Sequence, residues 1–166
     1  MPAHDEMQLD GWIQSAISAQ NTPSRRTMSL EDCAAMAQYA AREAQAIGIP
    51  MVFSLANACG HQRYFFSMEE ALLVSHRLAT EKAWTAVALK MATHELAMQI
   101  QPGEELYGLQ QASGICCIGG GLPCWSDGVL LGAIGVSGGT VEQDLTVARN
   151  TLRRFSAARY AVTPSR

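Results

Sequence analysis

The chain has 166 residues, 16% charged and 48% hydrophobic, with a formal net charge of −3. That length suits one domain with a small appendage, and so low a charge content excludes a disordered, solvated chain. The acidic balance gives no footprint for nucleic acid, and no stretch reaches the roughly 18 apolar residues of a membrane span.

The first twenty residues stand apart from the rest. They lack the basic start and continuous apolar run of a secretory signal. Leu9, Trp12, Ile13, Ala16 and Ile17 instead fall on one stripe of a short helix, followed by a polar linker over 21–27. A helix this short is marginal alone in water, so the stripe docks either on its own domain or on another protein. Residues 1–27 are therefore set apart from a domain over 28–160, with 161–166 as a tail.

The domain opens with Ser29-Leu30-Glu31-Asp32, a capping pattern. Leu30, Cys33, Ala34, Ala37, Ala41, Ala44 and Ile47 then trace an apolar helical face, and Gly48 and Pro50 stop it. Residues 51–58 (MVFSLANA) read as a buried strand, and 63–67 (RYFFS) return as its hairpin partner. A long apolar helix is predicted over 69–90, then a short one capped by Thr93. A third strand is predicted at 115–118, broken by Gly119-Gly120-Gly121-Leu122-Pro123. A fourth covers 129–136, and Ser137-Gly138-Gly139-Thr140 leads into a terminal helix over 141–158. Paired strands and grouped helices, without βαβ alternation, indicate an α+β fold with an antiparallel sheet.

The chemistry is sparse. No Walker loop, G-x-S-x-G elbow or HExxH pair is present, and the four histidines are scattered. Five cysteines without a CxxC read as reduced thiols in the cytoplasm. So few charges on so apolar a chain imply a homo-oligomer.

Three features remain. The helix start at Ser137, Gly138 and Gly139 has backbone N–H groups suited to an anion. The break at Gly119, Gly120 and Gly121 lets a flat ligand or a neighbouring chain approach the backbone. For each, tight packing is the alternative. His94, in the first turn of a helix, can reach a metal as an axial ligand, and Cys33 offers sulfur unless buried as an inert hydrophobe. His61 reads as solvated and His76 as packed. Lys82, His94 and Glu95 form the rival set, acid–base groups of an enzyme on a small acidic metabolite, unless they are surface ion pairs. A purely structural oligomer without a ligand is the third reading.

The segments 103–109 (GEELYGL), 119–123 (GGGLP) and 132–144 (GAIGVSGGTVEQD), with Lys82-Ala83-Trp84 and Thr93-His94-Glu95-Leu96, resemble the GlcG/HbpS family. Within it the chain is most similar to PduO C-terminal domains and their stand-alone relatives, over about residues 28–158. The resemblance implies a profilin-like fold, assembly into dimers up to octamers, and heme or corrinoid binding linked to cobalamin-dependent metabolism. It also implies an association with bacterial microcompartments, for which the 1–20 helix would be an address to the shell or to co-packaged enzymes. The adenosyltransferase domain of PduO is not expected here, so the implied role is accessory rather than enzymatic. Relatives of the PduO type use a histidine near the first helix for heme. The helix over 30–47 has none, which leaves Cys33, His61 or His94 as candidates.

Overall fold

A computed structural model describes residues 27–161 of the chain, so the N-terminal stripe from Leu9 to Ile17 lies outside the described residues. The elements run α1 (Leu30–Ile47), β1 (Val52–Asn57), β2 (Gln62–Ser67), α2 (Leu73–Leu89) and α3 (Thr93–Gln99). A short 3-10 turn (Tyr107–Gln111) follows, then β3 (Gly121–Ser126), β4 (Val129–Ser137) and α4 (Val141–Ala161). The strands form one four-stranded antiparallel sheet in the order β2-β1-β4-β3. The fold is α+β, with helices layered on both faces of that sheet.

Side-chain alternation along the central strands decides what each layer receives. Phe53 and Leu55 of β1 pair with Val136 and Ile134 of β4, and all four enter one core with Cys33, Met36 and Ala37 of α1 and Val147 and Phe155 of α4. Ala56 and Ala133 turn the other way and meet Ala83, Ala86 and Val87 of α2. Because both faces of β1 are covered, it is buried from Val52 to Ala56 without alternation, Ser54 included.

Small residues set the spacing of the second layer. A Cβ on Gly135 would lie 2.0 Å from the Ala79 carbonyl oxygen, so α2 rests directly on the backbone of β4. Ala79, Ala83 and Ala86 are fully buried along that contact.

The capping box forms as the sequence predicts: Asp32 N–H donates to Ser29 Oγ at 3.0 Å, and Ser29 N–H to Asp32 Oδ2 at 2.9 Å. Other boundaries differ. The long helix starts at Leu73 rather than 69, because Glu70 adopts φ of 65° in the preceding turn. Thr93 is not a cap but the first helical residue, and its hydroxyl accepts the Gly121 N–H at 2.9 Å.

The predicted strand at 115–118 is not in the sheet; the third strand is Gly121–Ser126, which begins inside the supposed break at 119–123 and runs past it. Thr85 Oγ1 accepts the Cys116 N–H at 2.9 Å, so a hydroxyl of α2 holds that backbone instead of a ladder. Pro123 is tolerated because β3 is an edge strand with only one neighbour.

Gly135→Ala should therefore destabilise the fold by about 3 kcal/mol or more, since neither backbone can yield to the new methyl. Gly108→Ala, with nothing within 4 Å of its Cβ, should be near neutral. Urea denaturation of the two variants checks the pair; equal midpoints would contradict the close contact.

Candidate functional site

Lys82 is the most unusual residue of α2. It is 1% exposed, and its Nζ donates to Asp144 Oδ2 at 2.7 Å and to the Val136 carbonyl at 2.9 Å. Asp144, also buried, belongs to the first turn of α4, so the ion pair ties helices on opposite faces of the sheet. Its other oxygen, Oδ1, accepts the Gly139 N–H at 2.9 Å. Burial nevertheless holds the Asp144 carboxyl above the ordinary carboxylate range, with the Lys82 and backbone hydrogen bonds pulling the other way.

This pair explains the glycines around it. A Cβ on Gly120 would meet the Val136 carbonyl oxygen at 2.6 Å and Lys82 Nζ at 3.0 Å. One on Gly121 would meet the Lys82 carbonyl oxygen at 2.5 Å, and one on Gly119 would meet Val141 at 2.8 Å and His94 Cβ at 3.2 Å. The space beside Gly119, Gly120 and Gly121 is filled by the protein's own atoms.

The helix start is also committed internally. Ser137 ends β4 with its hydroxyl donating to Ser75 at 3.3 Å. The carbonyl of Pro50 lies 2.3 Å from where a Cβ on Gly138 would be. The Gly139 N–H goes to Asp144, the Thr140 N–H to Gln143 Oε1 at 2.9 Å, and the Gln143 N–H to Thr140 Oγ1 at 3.2 Å. An anion would have to displace these caps.

Cys33 is fully buried in the core under α1, and burial pushes its thiol pKa up, which disfavours the thiolate an iron would bind. Cys124 is pushed up to about 11 by the same cause. His94 sits in the first turn of α3, half-buried, with Nδ1 buried and without a hydrogen-bond partner among the described residues. His61 is exposed in the β1–β2 turn.

The enzymatic set does not assemble. The Lys82 ammonium is spent on Asp144 and Val136, and Glu95 is exposed with its carboxylate accepting the Ala92 N–H at 3.3 Å at the start of α3. The predicted residues thus divide: His94 lies beside Gly119, Lys82 lies beside Gly120 and Gly121, and Cys33 is in the core under α1.

Two features escaped the sequence reading. Asp144 carried no local signal, because its partner is 62 positions away. The second is a groove of about 530 Å³ lined by Gln62, Phe65, His76, Arg77, Thr80 and Glu81. His76, expected to pack against its neighbours or a subunit, has its ring stacked on Phe65 with centroids 5.8 Å apart and lines this groove. Among the described residues no group of three or more His, Cys, Asp or Glu is placed to hold a metal ion.

With this geometry in hand, comparison with known proteins is decisive on kinship. Residues 28–153 match the family described as haem degrading protein HbpS-like. The chain belongs to that family. This HbpS-like chain is 42% identical over 137 residues to the corrinoid adenosyltransferase PduO of Salmonella typhimurium, covering 81% of itself and 40% of PduO. It therefore spans about two-fifths of that relative. The crystal structure of Klebsiella pneumoniae ORFY superposes with a TM-score of 0.77 at 39% identity, over 82% of this chain and 96% of the other. The PduOC:heme complex superposes with a TM-score of 0.74 at 43% identity, over 76% and 94%.

Asp144→Ala should cost about 3–5 kcal/mol, since it strands the buried Lys82 ammonium. Lys82→Met combined with Asp144→Leu should recover most of that loss, because no uncompensated charge remains. Urea denaturation of single and double variants measures both; a loss under about 1 kcal/mol in the single variant would show the pair to be dispensable.

Proposed function

We propose that this chain is a heme-binding accessory protein that works as a homo-oligomer in cobalamin-linked metabolism, and is not itself an enzyme. The observation that carries this reading is its likeness to the PduOC:heme complex over 94% of that chain. The residues fit the group. A porphyrin supplies its own equatorial ligands, so the protein needs only one or two axial donors, and no multi-residue cage is required. Half-buried imidazoles are on offer in His94, whose Nδ1 is unpartnered among the described residues, and in His76. Bound heme would supply a redox-active iron; the chain's part is to ligate it and shield it from water.

Heme is favoured over a corrinoid because the named complex contains heme. Adenosyl transfer is left outside the proposal, since the match covers 40% of PduO. Assembly is supported by Leu72, Leu73 and Val74, three consecutive apolar side chains exposed at the head of α2, a patch that a second copy of the chain would cover. Titrating apoprotein with hemin should give a sharpened Soret band with a stoichiometric endpoint. Native mass spectrometry of the same sample should show a multiple of the 17.9 kDa chain carrying heme. A spectrum like free hemin with no endpoint would refute heme binding, and a bare monomer at all concentrations would refute assembly.

For the segment outside the described residues, we propose that residues 1–20 address the protein to a microcompartment shell or to co-packaged enzymes. The support is the helical spacing of Leu9, Trp12, Ile13, Ala16 and Ile17 in the sequence, a segment too short to hold a helix alone in water. Residues 1–27 fused to a fluorescent protein should form foci in shell-forming cells and become diffuse when Trp12 and Ile13 are replaced by Asp. Diffuse fluorescence from the unaltered fusion would reject the address.

A further inference from the structure

We propose that the groove between β2 and α2 is the heme site and that His76 Nε2 is an axial ligand to its iron. This rests on the heme-binding reading above and names where the group would sit.

The imidazole is preset for ligation. His76 Nδ1 lies 3.1 Å from the Leu73 carbonyl oxygen. A carbonyl only accepts, so Nδ1 carries the proton and Nε2 keeps its lone pair. A second partner on Nδ1 that fixes tautomer and ring direction is what metal-bound histidines usually have. Phe65 lies against the ring at an interplanar angle of 29° and limits its rotation. His94 has no such support, since its Nδ1 is without a partner among the described residues.

The polar side chains of the groove bond largely to one another. Gln62 Nε2 is spent on Ser54 Oγ at 3.0 Å and Thr80 Oγ1 at 3.4 Å, and Thr80 Oγ1 donates to the His76 carbonyl at 3.1 Å. Arg77 gives Nε to Glu81 at 2.7 Å, which leaves its terminal N–H groups for a carboxylate such as a heme propionate. The volume of about 530 Å³ is within the range of small-molecule sites. Leu72, Leu73 and Val74, within one helical turn before His76 at the head of α2, are 62%, 85% and 55% exposed.

The test is hemin titration of the full chain and of His76→Ala, His76→Tyr, His94→Ala and Arg77→Gln, followed by absorbance and electron paramagnetic resonance. Wild type should bind with a stoichiometric Soret endpoint. His76→Ala should lose that band or bind at least tenfold more weakly, and added imidazole should restore the spectrum by filling the vacated position. His76→Tyr, which keeps a ring against Phe65, should give a tyrosinate-ligated high-spin spectrum. Arg77→Gln should weaken binding without changing the spectrum, and loss of the band in His94→Ala with its retention in His76→Ala would overturn the assignment. If wild type binds but the His76 variants keep its spectrum, the site is elsewhere and heme binding stands. If wild type shows no endpoint, both fall.

Discussion

The ion pair of Lys82 and Asp144 is the constraint on which the rest of the architecture depends. A lysine from the middle of α2 reaches past the end of β4 to the first turn of α4, on the opposite face of the sheet. Taking both charges out of water is costly, and burial pushes the Asp144 carboxyl up against the pull of Lys82 and the backbone N–H groups. What the pair supplies is registry. Only one placement of the helices lets Nζ meet both Asp144 and the Val136 carbonyl, and Gly120 donates the space for it. An apolar pair of equal volume would hold the layers together but would not specify their relative position in the same way.

Much of this was legible in the sequence where the signal is local. The capping box at Ser29, the stop at Gly48, the hairpin and the fourth strand follow from short-range chemistry, and they stand where periodicity and turn residues put them. The third strand was misplaced because two cues agreed on the wrong answer. Ile115-Cys116-Cys117-Ile118 is a β-rich run, and Gly119 to Pro123 looks like its terminator. The structure assigns the backbone of 116 and 121 to Thr85 and Thr93, contacts made across 31 and 28 positions that no window of sequence reveals.

The candidate site was harder to read for the same reason. The glycines drew attention because glycine permits close approach, but the atoms that approach are those of Lys82, Val136 and His94. Cys33 sits on the apolar stripe of α1, where an inert core thiol is the ordinary outcome. His76 was passed over because its helix is apolar on most sides. That reading takes apolar for buried, and on α2 the two diverge: Ala79, Ala83 and Ala86 face the sheet, while Leu73, Val74 and Trp84 are exposed.

That divergence organises α2 into two working faces. Its inner face is small, so that the helix can lie on Gly135 and Ala133, and this contact leaves little room for large apolar side chains. Those side chains are on the outer face instead, where burying each would contribute about 1.5–3 kcal/mol once something covers it. A helix stabilised only by its own domain has no use for such a surface. Next to it, β2 is the free edge partner of β1 and contributes Phe65 and Gln62 to the same groove. The outer face of α2 and the edge strand beside it therefore form one surface with a single oriented imidazole. The rigid inner contact through Gly135 fixes its position, so a ligand bound there meets a preformed site and does not have to order one.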